Sequence, residues 1–165
     1  MVGASPEQFA RAEPVLRAIS PKLFHAGEVG AGHVVKLANN VVSASDRAVA
    51  LEALALAARN GIAPRRAVEI MLAGAGRNVW LEALPNSGLL DGEVTSGFTL
   101  EVMHRDLCAA ARLAAESELP MPVGAAVRDF NARCIEELGR DAEGDAAALV
   151  MDGIAGTRMF RRAQS

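Results

Sequence analysis

Residues 31–59 read AGHVVKLANNVVSASDRAVALEALALAAR, and this stretch decides the fold. Its apolar residues recur at helical spacing, it has no proline, and Gly32 is its only glycine. The pair Asn60-Gly61 follows, which commonly ends a helix in a left-handed cap. At 1.5 Å per residue such a helix is roughly 40 Å long. Because that is too long for the edge of a small domain, we predict a central helix around which the others pack.

The rest of the chain also favours helices. About half of its 165 residues are hydrophobic (51%), tyrosine is absent, and alanine, the best helix former, supplies much of the apolar content. We therefore predict an all-α domain. The further helices are expected over 64–73, from 78 onward, and over 99–118, 123–138 and 145–154, with a loop over 85–98.

The first residues follow another pattern. Residues 1–3 are typical of a strand end, and Ser5-Pro6 is a good helix start, with Ser5 as the cap. That helix should end at Pro21, and residues 22–27 then read as a short strand that stops at a glycine. A strand, a helix and a strand in so few residues predict an α/β fragment before the central helix.

Charge and cysteine content narrow the function classes. A formal charge of −3 with scattered basic residues gives no surface for nucleic acid, and no apolar run could span a bilayer. Cys108 and Cys134 lie far apart without metal-ligand spacing, which is typical of a reducing compartment. His25, His33 and His104 also lack that spacing, so no metal site is predicted. We expect a soluble cytoplasmic protein.

Lys36 is the strongest candidate for chemistry that the residues themselves indicate. Of the 17 basic residues only Lys22 and Lys36 are lysines, in a chain that otherwise uses arginine for its charge. Lysine can transfer a proton near neutral pH, whereas arginine cannot readily do so. Asn40 lies one turn further along the same helix face. The alternative is a solvated surface lysine followed by an ordinary polar helix residue.

The glycines before this lysine match neither common phosphate-binding loop. Gly27, Gly30 and Gly32 have the reverse of the Rossmann spacing, and no βαβ unit follows them. They permit another backbone or a ligand to approach the start of the long helix closely.

A second group of candidates lies further along the chain. Phe98 precedes the helix that carries Arg105-Asp106, and Trp80, the only tryptophan, follows a glycine-rich turn. The functional interpretation is an aromatic wall with a basic group facing an anionic ligand. The alternatives are core aromatic residues and a surface ion pair of little energetic value.

Taken together, these segments resemble the β-hydroxyacid dehydrogenase family, which includes 3-hydroxyisobutyrate dehydrogenase and tartronate semialdehyde reductase. The resemblance covers nearly the whole chain in order. It rests on Gly27-x-x-Gly30-x-Gly32-x-x-x-Lys36-Leu37-Ala38-Asn39-Asn40, Glu52-Ala53, Asn60-Gly61, Gly76-Arg77, Phe98-x-Leu100, Arg105-Asp106-Leu107 and Leu119-Pro120-Met121-Pro122.

The resemblance implies roles for individual residues. Lys36 is similar to the family's catalytic lysine, which gives a proton to the carbonyl oxygen in reduction and takes the hydroxyl proton in oxidation. Asn40 resembles the asparagine that holds substrate beside it, and Phe98 and Asp106 match residues that line the active site. Arg105 stands where the family usually has a lysine that touches the cofactor.

The resemblance also implies a fold, a cofactor and an assembly. Trp80 is similar to a substrate-site tryptophan of the family, displaced by one position. Residues 30–165 would form the C-terminal helical domain of the 6-phosphogluconate dehydrogenase type, which binds substrate and dimerises. Residues 1–29 would be the βαβ remnant of a Rossmann nucleotide-binding domain. NAD or NADP would be bound mainly by an N-terminal domain absent from this chain, so we expect the chain alone to be inactive.

The expected reaction interconverts a small 3-hydroxyacid, a carboxylate substrate, and its semialdehyde, in a homodimer or homotetramer. One alternative is a non-catalytic helical dimerisation module that lost its cofactor domain. Another is a 6-phosphogluconate dehydrogenase or imine reductase relative. Lys36 argues against the imine reductases, which typically replace this lysine.

Overall fold

The computed structural model describes residues 1–160 as seven helices and a two-stranded parallel sheet. The last five residues of the predicted unit 30–165 therefore lie outside the described residues. The elements are β1 (Val2–Gly3), α1 (Pro6–Ile19), β2 (His25–Gly27), α2 (Ala31–Arg59), α3 (Pro64–Ala73), α4 (Val79–Ala83), α5 (Leu100–Glu116), α6 (Pro122–Leu138) and α7 (Ala147–Ala155).

Helix α2 is central, as predicted. It packs against each of the helices from α3 to α7, and both strands contact its beginning. The largest fully buried side chains lie on α2 or on the elements around it, and six of them are leucines: Leu51, Leu54, Leu81, Leu84, Leu89 and Leu100. Each such leucine contributes about 1.5–3 kcal/mol through its burial. The apolar periodicity of α2 thus positions the other helices.

Local capping signals set the helix starts. The Ser5 side chain accepts a hydrogen bond from the Gln8 amide, and Gln8 bonds back to the Ser5 amide. Asn78 caps α4 and Thr99 caps α5, each by accepting from an amide three residues later. These three caps confirm the predicted starts.

The strands and the glycine-rich segment meet at the start of α2. The Val2 amide donates to the Phe24 carbonyl at 2.8 Å, and the Ala4 amide donates to the Gly27 carbonyl at 2.8 Å. A Cβ atom on Gly32 would lie 3.0 Å from the Gly3 amide nitrogen, so these backbones touch. Of the two predicted uses of these glycines, close approach of another backbone is therefore observed.

The strand-helix-strand fragment predicted before the central helix is observed, and its sheet means that the predicted all-α class is wrong for the described chain as a whole. Strands β1 and β2 pair in parallel, with Val2 opposite His25 and Gly3 opposite Gly27, and α1 connects them. The physical reason is that the backbone groups of these residues find their partners in each other rather than within a helix. No helix within residues 1–160 is long and apolar enough to cross a membrane.

Candidate active site

Lys36, Asn40 and Asp106 meet between α2 and α5. The Asp106 carboxylate accepts on Oδ2 from both the Lys36 ammonium and the Asn40 side-chain amide, the latter at 2.6 Å. Asp106 is buried (6% exposed), whereas the Lys36 side chain is 38% exposed. The lysine thus presents its charge at the surface while its counter-ion lies inside.

The helix packing explains why these side chains meet. Lys36 and Asn40 stand one turn apart on α2, so they share a face. Leu37 and Leu107, each adjacent in sequence to one of the paired residues, are almost fully buried at 3% and 2% exposure. Ala44 on α2 packs with Met103 and Leu107 on α5 in one buried cluster, which holds the two helices beside the polar residues.

Asp106 is held as a carboxylate. Burial by itself would raise the pKa of Asp106, but hydrogen bonds from Lys36 and Asn40 and the charges of Lys36 and Arg105 lower it. The net result is a pKa below the ordinary value of 3.8. Asp106 is therefore ionised at neutral pH and can orient an ammonium group.

An open cleft of about 570 Å³ adjoins Lys36. Its other lining residues are Met1, Gly3, Gly30, Gly32 and His33. Gly30 adopts a left-handed conformation (φ 97°), and no atom lies within 4 Å of the place its Cβ would take. The cleft therefore has open space at Gly30.

A second pocket, of about 370 Å³, contains the two predicted aromatic residues. Trp80 and Phe98 line it together with Asn39, the neighbour of Asn40 on α2. The structure thus separates the predicted site residues into two adjacent groups. Lys36, Asn40 and Asp106 form one, and Trp80 and Phe98 form the other; we call the latter space the aromatic pocket.

Hydrogen bonds fix the loop that carries Phe98. The Glu143 carboxylate accepts from the Ser96 amide at 2.8 Å, the Ser96 hydroxyl at 2.9 Å and the Gly97 amide at 3.1 Å. The bonds from Ser96 and Gly97 lower the pKa of Glu143 despite some desolvation. The Gly144 amide then donates to the Phe98 carbonyl at 2.9 Å. A Cβ atom at residue 144 would collide with the Phe98 ring, so this position requires glycine.

Two charged residues of the aromatic pocket were missed by sequence reasoning. Asp145 accepts a hydrogen bond from Trp80 Nε1 at 3.1 Å, and the Arg47 guanidinium lies 5.1 Å from the centre of the Phe98 ring. Arg47 was detectable in principle, because it stands between Ala44 and Leu51 on the apolar face of α2. A charged residue on a face that must be buried signals a special environment.

Arg105 is largely exposed, and the structure shows no metal site at the histidines among residues 1–160. The Arg105 side chain is 67% exposed, with Nε 3.8 Å from Asp106 Oδ1, so its predicted contact with a cofactor stays a prediction. His104 lies 3.4 Å from the Cys108 sulfur. Residues 1–160 contain no group of three or more His, Cys, Asp or Glu side chains that could hold a metal.

Comparison with known proteins gives the class of this chain. Residues 30–151 match the family described as "NAD-binding of NADP-dependent 3-hydroxyisobutyrate dehydrogenase". The match, to a family of NAD(P)-dependent dehydrogenases, covers the segment that carries Lys36 and Asp106. The chain belongs to the β-hydroxyacid dehydrogenase family, as the resemblance predicted.

Individual relatives support the same family. The chain is 34% identical to 2-(hydroxymethyl)glutarate dehydrogenase from Eubacterium barkeri, over 91% of this chain and 49% of the relative. It is 35% identical to 3-hydroxyisobutyrate dehydrogenase from Pseudomonas aeruginosa, over 79% of this chain and 46% of the relative. The chain therefore spans about half the length of these curated relatives.

A solved structure of a relative also supports the family assignment. The 3-hydroxyisobutyrate dehydrogenase from Mycobacterium tuberculosis, determined with L-serine, superposes with a TM-score of 0.82 at 26% identity. The superposition covers 92% of this chain and 54% of that one.

The family match corrects the predicted fold class and part of the cofactor prediction. Residues 30–165 were expected to form a 6-phosphogluconate dehydrogenase type helical domain distinct from the cofactor-binding part. Residues 30–151 instead match a family described as NAD-binding. The expectation that NAD(P) is bound mainly by a domain absent from the chain is therefore wrong as well, while NAD(P) itself as the cofactor is supported.

Proposed function

We propose that Lys36 is the general acid and base of an NAD(P)-dependent dehydrogenase that interconverts a small 3-hydroxyacid and its semialdehyde. The observation that carries this proposal is the Lys36 ammonium held by the buried Asp106 carboxylate at the edge of an open cleft. A positioned side chain that exchanges a proton with substrate typically accelerates a reaction about 10²- to 10⁴-fold.

The residues of the site have distinct tasks in this reaction. In reduction, Lys36 gives its proton to the carbonyl oxygen of the substrate, and in oxidation its neutral amine takes the hydroxyl proton. Asp106 orients the lysine and stabilises its charged form, and the Asn40 amide holds the other side of that carboxylate. We propose that Asn40 also binds the substrate oxygen beside the lysine. Phe98 and Trp80 supply apolar walls for the rest of the substrate.

The residues at the cleft fit a nicotinamide cofactor. NAD or NADP, when bound, takes up or supplies the hydride. Gly30 leaves the cleft open beside Lys36, and Arg105 has an exposed cation next to the same cluster. We propose Arg105 as a residue that contacts the cofactor.

Two substitutions of Lys36 test the proton-transfer role. Lys36→Ala should lower turnover about a hundredfold or more, because the positioned acid is lost. Lys36→Arg should fail nearly as badly, because guanidinium keeps the charge and does not release its proton near neutral pH. Lys22→Ala, which removes the only other lysine, is the matched control and should leave turnover unchanged.

The assay follows NAD(P)H absorbance with 3-hydroxyisobutyrate and with 2-(hydroxymethyl)glutarate, the substrates in the names of two relatives. Thermal midpoints are measured on the same samples. Retention of most activity by Lys36→Arg would show that charge alone matters. Loss of activity only where the fold is also lost would make Lys36 a structural residue.

We also propose that the chain forms a homodimer or homotetramer, which is the second candidate function if the chain has no dehydrogenase activity. Four exposed apolar residues repeat at seven-residue intervals along α2, an arrangement that pairs helices: Val35, Val42, Val49 and Leu56. The test is sedimentation of Val49→Glu, which should shift the chain towards monomer. Val15→Glu, at a similarly exposed valine on α1 (66% against 57% for Val49), is the control. A parent chain that sediments as a monomer at micromolar concentration would contradict the proposal.

A further inference from the structure

Arg47 is a buried cation with no hydrogen bond from its guanidinium to any of residues 1–160. It is 6% exposed and lines the aromatic pocket. Its nearest counter-ion, Asp145, has Oδ1 3.9 Å from Nη1, which is an ion pair beyond hydrogen-bond length. Its other neighbour is the face of the Phe98 ring, which accepts the positive charge but gives no oxygen acceptor.

A guanidinium in this state is poised for a ligand. It carries five N–H donors in a planar fork, which can engage an acceptor that enters the aromatic pocket. Burial lowers the pKa of Arg47, against the attraction of Asp145, which raises it. Asp145 is itself engaged by Trp80, so the charge of Arg47 has a counter-ion while its donors remain available.

The geometry points to a role for Arg47 in substrate specificity: it binds a second carboxylate of the substrate, at the end distant from the carbon that Lys36 serves. This inference rests on the proposed function, since it deepens the choice of substrate to a small dicarboxylic hydroxyacid. A carboxylate matches the planar fork of arginine with two parallel hydrogen bonds.

The placement of Arg47 on α2 agrees with an elongated ligand. It follows Lys36 by eleven residues, which is three turns, so the two backbone positions lie on one face about 16 Å apart along the axis. Lys36 and Asn40 donate to the same Asp106 oxygen, so the ammonium group lies near Asn40, which stands seven residues, or about 10 Å, before Arg47. The aromatic pocket begins at Asn39 and reaches Arg47, and apolar atoms line the space between: Val42, Val79, Trp80, Ala83 and Phe98. A short carbon chain therefore fits between the two polar ends.

Asp46 provides a control of opposite sign. Its carboxylate also lines the aromatic pocket and opposes the binding of an anion there. If Arg47 receives a carboxylate, then removal of the Asp46 charge should strengthen binding, whereas removal of the Arg47 charge should weaken it.

Trp80 allows binding to be measured without turnover. It is the only tryptophan, and the chain has no tyrosine, so intrinsic fluorescence reports on the aromatic pocket. The probes are glutarate, butyrate and inorganic phosphate, each titrated at constant ionic strength. We expect a saturable change with glutarate, and binding about tenfold weaker or more with the monocarboxylate butyrate, which lacks the second charged contact.

Substitutions then test whether Arg47 is responsible for the binding of glutarate. Arg47→Met should weaken glutarate binding about tenfold or more, Arg47→Lys should restore part of it, and Asp46→Asn should tighten it. Since Arg47→Met leaves Asp145 buried without its cation, the double variant with Asp145→Asn is measured too, with helix content followed by circular dichroism. Glutarate affinity that survives in the folded double variant overturns the proposal.

Two further outcomes of the titration bear on the role of Arg47. Phosphate that binds more tightly than glutarate would overturn the assignment to a carboxylate. Because the titration involves no turnover, a positive result stands even if Lys36 proves inactive, and a negative one leaves the proton-transfer role to its own test.

Discussion

Asp106→Asn should destabilise the chain at neutral pH by about 1–2 kcal/mol. Two hydrogen bonds to the charged carboxylate are weakened, from Lys36 and from Asn40, and such bonds contribute about 1.5–3 kcal/mol each. The loss is smaller than their sum because the new amide still accepts through its oxygen. The Lys36 side chain is also 38% exposed, so solvent screens the ion pair. For a chain of this size the thermal midpoint should fall by about 2–8 °C.

The effect has a defined dependence on pH. The pKa of Asp106 in the fold lies below its ordinary value of 3.8, so its contribution to stability is present above that value. The contribution is lost as the pH falls through the lowered pKa. The difference between parent and variant should therefore be full near pH 7 and should shrink below about pH 4.

Urea unfolding followed by circular dichroism, at several values of pH, measures both quantities. The matched control is Asp129→Asn on α6, where the carboxylate is 68% exposed and, within residues 1–160, pairs only with its neighbour Arg128. This control should change the free energy of unfolding by no more than about 0.5 kcal/mol. A stabilising effect of Asp106→Asn, or one that persists undiminished in acid, would refute the reasoning.

Two further predictions concern packing and thiol chemistry. Gly144→Ala should lower the free energy of unfolding by about 1–3 kcal/mol and raise KM, because the new methyl group meets the Phe98 ring. The control is Gly153→Ala, which should not destabilise the fold, because its methyl group meets no atom of residues 1–160 within 4 Å. Thermal midpoints and steady-state kinetics check this, and equal effects of the two substitutions would contradict it. In the folded chain a thiol reagent should modify Cys108 and spare Cys134, which is fully buried and whose pKa burial raises to about 12. Mass spectrometry of the labelled peptides identifies the modified thiol, and labelling of Cys134 before unfolding would count against the structure.

The helices could be predicted from the sequence because their signals are local. The central helix begins at Ala31 and ends at Arg59, as the apolar period and the Asn60-Gly61 pair indicated. The prediction of a loop over 85–98 was less accurate, since two short 3₁₀ turns, Leu84–Asn86 and Leu89–Asp91, fall in or overlap this segment. Single turns of this kind lack a sequence period, and so their signal is weak.

The site was predictable only in part. The spacing of Lys36 and Asn40 placed both on one helix face, and the family resemblance gave Asp106, already a candidate beside Arg105, a place in the active site. The contact between them joins residues 70 positions apart, and it depends on how α2 and α5 pack rather than on any local pattern. Arg47 and Asp145 were missed for the same reason, since their meaning lies in burial and in each other's position.

The face of α2 that carries Lys36, Asn40 and Arg47 is less favourable for stability than apolar side chains would be. A buried ion pair such as Arg47 with Asp145 is often no more stabilising than apolar side chains of similar volume, because both charges lose their water. Lys36 and Asn40 continue the same face toward the cleft, where α2 could instead have continued its apolar pattern. Since every other buried residue of α2 is a leucine or an alanine, the line from Lys36 to Arg47 is where α2 departs from what a core helix needs. Such departures from the needs of folding concentrate at functional sites, and this one connects the proton-transfer end of the proposed substrate site to its charged far end.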